Sequence, residues 1–410
     1  MPVINRIAEF HRDMTEWRRA LHQHPETAFE EVWTSDYVAQ RLEEFGLEVH
    51  RGIAKTGVVG ILKGGKPGPV VALRADMDAL PVAEEVDLPF KSTVRTTYDG
   101  KDVGVMHACG HDAHMGILLG VARILAQMKS ELPGTAVLIF QPAEESPPHG
   151  EEGGAELMVK EGVLKGEPKP EVIFGLHVMT KFETGTLAYK PGAEMASADD
   201  FTVVVHGKGS HGAFPWNGID PIVVASQIVL GLQTITSRQM DLTKAPTVVT
   251  IGKFDGGTRN NVIPDTVTMK GTMRALDEGM RQDLQRRVVR TVKSIAESAG
   301  ATADIDIGEE THYPVTVNDP KLTARMLPTL QRVAGAGLEE TVPILGAEDF
   351  SYFAQQVPGL YVLIGIRKPG ASFDEYALNH SPRFRVDESG LKLGVRALAN
   401  LAVDYMQHPQ

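Results

Sequence analysis

The sequence predicts an α/β protein: a mixed, mainly parallel sheet covered by helices and interrupted by an inserted α+β domain of ferredoxin-like (βαββαβ) order. Three observations carry this expectation. Short apolar runs of strand length alternate with longer helical segments through the first part of the chain. The rhythm changes to β-α-β-β-α-β in the middle, and helix and strand alternate again towards the end. The middle therefore reads as an insertion into one discontinuous domain.

Taken in order, VVALRAD (70–76) is an apolar run ending on charge and predicts a buried strand. AHMGILLGVARILAQM (113–128) is apolar on nearly every side and predicts a buried helix with Asp112 as its N-cap. TAVLIF (135–140) and EVIFGL (171–176) predict two further strands. In the middle come FTVVVH (201–206), a helix within 219–239, TVVTIG (247–252), TVTMKGTMR (266–274), a helix over 277–298 and ADIDIG (303–308). The second of those helices places Met280, Leu284, Val288, Val292 and Ile295 on one side. Arg281, Arg286, Arg287, Arg290 and Lys293 read as its solvated face. GLYVLIGI (359–366) and a final helix beginning near Asp387 return to the first pattern. Junctions near 195–200 and 311–319 divide the chain into a domain of 1–196 with 313–410 and an inserted domain of 197–312. A chain of 410 residues is long enough to bury a core in each.

Composition narrows the partners. Asp and Glu number 53 against 41 Lys and Arg, a formal charge of −12, which disfavours nucleic acid and anionic lipid. No run of about 18 apolar residues suggests a membrane span, and charges spread through MPVINRIAEFHRDMTEWRR show neither export signal nor anchor. The single cysteine, Cys109, excludes an internal disulfide and points to a reducing, cytoplasmic compartment.

In an open α/β sheet ligands bind beyond the carboxyl ends of the strands. Four predicted exits carry polar residues: Asp76 and Asp78 in RADMDALP, Glu144 and Glu145 in QPAEE, His177 in GLHV, and His380 in LNHSPRF. Between the first two stands VMHACGHDAHMG (105–116), where Cys109 and His111 are two apart. In an extended segment they project to one side and can grip one ion, and thiolate with imidazole suits zinc and its transition-metal neighbours. His107 and His114 fit equally as orienting residues for Asp112 or a carboxylate and as ligands.

The set ALRADMDALPVAEE, MHACGHDAHMG, IFQPAEE, GLHV, GKGSHGAFP, NNVIPD, GTMRAL, GAEDF and NHSPRF resembles the M20 metallopeptidases, in the amidohydrolase branch that contains hippurate hydrolase, N-acyl-amino-acid amidohydrolases and indole-acetyl-amino-acid hydrolases. The resemblance runs from about residue 15 to the end. It implies two divalent metal ions, zinc or manganese, held by Cys109, His111, Glu145, His177 and His380, with Asp78 beside them. It implies Glu144 as general base, His211 as a carbonyl-polarising residue of the inserted lid and dimerisation domain, and Asn261 and Arg274 as substrate-binding residues. The implied reaction is hydrolysis of the amide bond of an N-acyl amino acid by a water that the metals activate. A homodimer, possibly higher, is also implied. Departures stand at VMTKF after His177, at Trp216, and in the long acidic loop after Glu145. They bear on the acyl group and side chain of the substrate. Rival readings are a dipeptidase or aminoacylase of the same class, a thiol amidase using Cys109, and a metal-binding protein without catalysis.

Overall fold

The apolar runs read as strands line up in one sheet because residues buried on both faces leave no polar side to turn to water. The structure, a computed structural model, describes residues 2–145 and 147–408. Ser146, in the acidic loop, lies outside the described residues. Two compact units emerge: Met1–Gly192 with Val317–Val342 and Tyr352–Gln410, and Ala193–Thr316 with Pro343–Ser351. The segment Pro343–Ser351 groups with the second unit, where Ala196 N–H donates to Ile344 and Gly346 carbonyls and Ile344 N–H to Glu194 O.

The first unit holds an eight-stranded sheet in the order Glu48–Ile53, Gly57–Lys63, Pro133–Gln141, Lys66–Asp76, Val172–Glu183, Gly359–Arg367, Leu187–Tyr189, Leu338–Glu340. Its four central strands, from Pro133–Gln141 to Gly359–Arg367, are neighbours and mutually parallel, so their carboxyl ends open on one side. Helices Pro2–Gln23 and Leu391–Gln407 pack on His111–Gln127, whose apolar surface is buried almost all round. Gly120 permits that approach: a Cβ there would lie 2.5 Å from Met14 Sδ. Among the described residues no helix is long and apolar enough to cross a membrane.

The second unit has chain order β-α-β-β-α-β and an antiparallel four-stranded sheet ordered Thr247–Asp255, Thr266–Ala275, Ala198–His206, Thr302–Tyr313. Helices Pro221–Thr234 and Glu278–Ser298 pack on each other and on this sheet. Phe201, Val203, Ile228, Met269, Leu284 and Val288 belong to its own core. Asp277 starts the second helix by accepting Met280 N–H at 2.8 Å.

One residue of the basic face departs from expectation. Arg281 is buried, and its guanidinium donates to both oxygens of Asp199 at 2.9 and 2.7 Å. It follows the buried Met280 at the border of the apolar stripe, so it faces the sheet, where a buried carboxylate needs a cation. Replacing Arg281 with Met leaves Asp199 buried without its cation and should cost about 3–5 kcal/mol. Chemical denaturation of wild type and variant measures this, and equal stability would refute the role given to the pair.

Candidate metal centre

The site lies at the carboxyl ends of the parallel strands and is built around the start of helix His111–Gln127. The segment carrying Cys109 and His111 is not extended, contrary to the expectation from i, i+2 projection. Gly110 is the N-cap with φ of 100°, a left-handed turn, so Cys109 ends the approach and His111 begins the helix. A Cβ on Gly110 would lie 2.5 Å from Val178 Cγ2, so conformation and space both require glycine. Asp112 is therefore in the first helical turn and is not the N-cap. Its carboxylate is buried against Arg18 Nε at 2.7 Å and His22 Nδ1 at 2.8 Å.

Around this turn the ligand-capable atoms converge. Cys109 Sγ is 3.3 Å from His177 Nε2 and 3.3 Å from His380 Nε2. His380 Nε2 is 3.2 Å from Glu145 Oε1. His111 Nε2 lies 3.8 Å from Glu144 Oε2, 3.8 Å from Glu145 Oε1 and 3.7 Å from Asp76 Oδ2. Two groups, Cys109–His111–His177 and Cys109–Glu145–His380, share the sulfur, and each has its candidate ligand atoms within 4.8 Å of one another.

Strand geometry explains the convergence. His177 is not at a strand exit: its strand continues to Glu183, past Gly175, the last residue that pairs with Lys66–Asp76. Beyond that point the ladder on this side is free, and Val178 N–H donates instead to His114 Nε2 at 2.9 Å. The His114 proton must then sit on Nδ1, which donates to Asp76 Oδ1 at 2.6 Å. His114 is thus an orienting residue for Asp76. His107 does not orient Asp112, a part taken by His22; neither of its ring nitrogens has a hydrogen-bond partner among the described residues. Asn379 holds the His380 loop, donating to Cys109 O at 2.9 Å and Val178 O at 3.0 Å.

Glu144 and Glu145 sit on a turn whose backbone N–H groups end on carboxylates. Asp78 accepts from Glu144 N–H and Glu145 N–H, both at 2.9 Å, and Glu31 accepts from Ala143 N–H at 2.9 Å. Ala143 has φ of 49° and His380 φ of 72°, strain of order 1–3 kcal/mol each that surrounding bonds must offset. Asp78 is therefore a scaffold for the turn. Its carbonyl also accepts His111 Nδ1–H at 2.8 Å.

The donor chemistry fits a cation. His111 and His177 both give their Nδ1–H to backbone carbonyls, which turns Nε2 of each inwards. His111 Nε2 is buried with no hydrogen-bond partner among the described residues, an arrangement that costs free energy unless something binds there. Burial opposes charge on His111, yet Asp76 and Asp78 lift it to about 10, a sign of strong negative potential. Burial and then Glu145 and Glu144 push the Cys109 thiol well up, which disfavours a free thiolate nucleophile. Burial and Asp78 raise Glu31 to about 8.

The remaining predicted residues belong to the second unit. His211, on Ser210–His211, pairs with Val262, and Gly212 N–H donates to Asn261 O at 2.8 Å, so His211 and Asn261 are neighbours. Ala213 N–H donates to His211 Nδ1 at 3.0 Å, which puts the ring proton on the exposed Nε2. Arg274 is half-buried on the strand Thr266–Ala275, opposite Val248. Sequence reasoning missed the parts played by Arg74, Glu31 and Asn379. Only Arg74 gave a signal, a charge inside an apolar run: it donates to Gln141 at 2.7 Å and Asp76 at 2.8 Å.

Comparison with known proteins agrees with this chemistry. The sequence profile of peptidase family M20/M25/M40 matches residues 72–404. The chain is 42% identical over 412 residues to thermostable carboxypeptidase 1 of Saccharolobus solfataricus, covering 99% of both chains. It is 40% identical over 397 residues to IAA-amino acid hydrolase ILR1-like 2 of Arabidopsis thaliana, covering 96% of this chain and 85% of that one. The YXEP protein of Bacillus subtilis, a dinuclear metal binding peptidase from the M20 family, superposes with a TM-score of 0.79 at 35% identity, covering 98% and 99%.

The Asp112 network makes an acid-side prediction. Burial opposes ionisation of Asp112, but Arg18 and His22 hold it well below the ordinary carboxylate range. A depressed folded-state pKa gives stability that is full above the unfolded value near 4 and is lost as pH falls through the folded value. Asp112→Asn should therefore be less stable at neutral pH by about 3–5 kcal/mol, with the gap narrowing below about pH 4. Denaturant melts across pH test this; a gap that grows in acid would contradict it.

Proposed function

The chain belongs to peptidase family M20/M25/M40, and from that premise we propose that it hydrolyses the amide bond of N-acyl amino acids, releasing a carboxylic acid and a free amino acid. It is a metal-dependent amide hydrolase. The observation that carries the finer reading is the meeting of Cys109, His111, Glu145, His177 and His380 with Glu144 at its edge.

Those five residues would hold two divalent ions. Sulfur with imidazole favours zinc on softness, and the carboxylates leave manganese open. Bound there, the ions would lower the pKa of a water and stabilise negative charge on the amide oxygen. Glu144 takes the proton from the attacking water and returns it to the departing nitrogen, work worth roughly 10² to 10⁴-fold. Its backbone is fixed through Asp78, so the carboxylate swings on its own side-chain torsions only. His211 supplies an oxyanion donor from Nε2–H, the nitrogen its Ala213 bond leaves protonated. Asn261 and Arg274 take the substrate carboxylate. The second unit acts as lid and dimerisation domain of a homodimer.

A second reading is favoured by one comparison. Carboxypeptidase and IAA-amino acid hydrolase are names for proteins that cleave an amide whose nitrogen belongs to an amino acid. A short peptide is also an acyl amino acid, so a dipeptidase or aminoacylase activity is the alternative.

Glu144→Gln should retain wild-type metal content and lose turnover by at least about 100-fold. Metal analysis beside rate measurement on hippurate, N-acetyl, indole-acetyl and dipeptide substrates, chelated and metal-restored, reads both points. Full activity in Glu144→Gln would remove it from the mechanism, and cleavage of dipeptides alone would favour the second reading.

A further inference from the structure

Glu31 is fully buried on the first unit and lies far in sequence from Glu144 and from the candidate metal ligands. The ordinary task of an acidic residue at the start of a helix is capping. Glu31 precedes the helix Val32–Glu44 as its N-cap residue, yet its side chain makes no cap bond. That task belongs to Glu26, whose two oxygens accept Trp33 N–H at 3.0 Å and Thr34 N–H at 2.9 Å. Glu31 is thereby free to turn elsewhere: Oε2 accepts the Thr56 hydroxyl at 2.6 Å, and Oε1 accepts Ala143 N–H at 2.9 Å.

Ala143 is the residue before Glu144, and its φ of 49° is a left-handed conformation that a non-glycine residue holds only under constraint. The constraint is visible on both sides of it. Gly154 N–H donates to Ala143 O at 3.1 Å, and Asp78 takes the next two N–H groups. Three successive N–H groups, of Ala143, Glu144 and Glu145, are therefore aimed by two carboxyl groups on different segments. Without Glu31, the first loses its acceptor in a place water reaches poorly, and the turn can relax to ordinary dihedrals by swinging the Glu144 Cα–Cβ bond.

We propose that Glu31 is a positioning residue for catalysis: tethered by Thr56, it locks Ala143 in its left-handed turn and so aims the Glu144 carboxylate. This rests on the reading of Glu144 as general base. The distinction from simple structural support lies in which parameter moves. Aim of the base affects kcat, whereas substrate affinity and metal content depend on other residues.

The test compares Glu31→Ala, Glu31→Gln and Glu31→Asp with wild type and with Glu144→Gln, all metal-loaded, on an N-acyl amino acid the wild type cleaves. Glu31→Ala should lower kcat roughly 10 to 100-fold, as for a misplaced reacting group. KM should stay within about twofold and metal content should be unchanged. Glu31→Gln, whose amide oxygen reaches the same N–H, should recover to within about threefold of wild type. If Glu31→Ala fails to fold by circular dichroism, Glu31→Asp asks the same question, because it keeps the carboxyl group and withdraws the acceptor; it too should lose kcat at constant KM. Wild-type kcat in Glu31→Ala or Glu31→Asp, equal losses in Glu31→Gln and Glu31→Ala, or loss of metal together with rate would each overturn the proposal. An active Glu144→Gln would instead remove the underlying reading, whereas an inactive Glu144→Gln beside a fully active Glu31→Ala sinks the Glu31 proposal alone.

Discussion

Burying several carboxylates within a few ångströms of one another is the constraint around which the first unit is organised. Asp76, Asp78, Glu144 and Glu145 meet near His111, and each ionised group taken from water costs several kcal/mol unless it is compensated. The protein compensates them unequally. Arg74 and His114 hold Asp76, and backbone N–H groups hold Asp78. Glu144 and Glu145 keep their functional ends turned towards imidazole and sulfur. The negative potential of these carboxylates, Asp76 and Asp78 foremost, lifts His111 against its burial and is what a cation would neutralise.

The supporting bonds show how a family of parallel strands turns one sheet edge into a rigid site. Asp76 ends one strand and Asp78 follows it, Glu144 and Glu145 follow its neighbour, and His177 projects from the next. The site elements that are loops are also the strained ones, at Ala143 and His380, and both are tied down by bonds to chain distant in sequence. Strain held by rigid surroundings is compatible with a site whose groups must keep fixed positions as charge develops. The ring nitrogens follow the same logic: His111, His177 and His211 each have their tautomer set by a backbone partner.

The two units solve different packing problems. The first buries strands on both faces and so tolerates near-continuous apolar runs. The second packs two helices on one face of an antiparallel sheet, and its strands alternate accordingly, as in Ala198–His206. Arg281, on the helix Glu278–Ser298, is the exception to that helix's solvated basic face, a cation drawn inwards by the buried Asp199.

Sequence by itself determined the α/β class, the mainly parallel sheet and the motifs through which the family is recognised, because apolar periodicity and local spacing are properties of neighbouring residues. It also brought forward Cys109, His111, Glu144, Glu145, His177 and His380, since polar residues beside buried strands stand out against their surroundings. Only the tertiary structure decided how they meet. Gly110 turns left-handed where an extended segment was expected, Asp112 serves Arg18 and His22 where a helix cap was expected, and His177 lies inside its strand. Glu31 and Asn379 carry no local signature of the bonds they make, because their partners are tens to hundreds of residues away and only a closed chain brings an acceptor to an unpaired N–H. Arg74 stands out as a charge inside an apolar run, but its bond to Gln141 exists only once the neighbouring strand is in place.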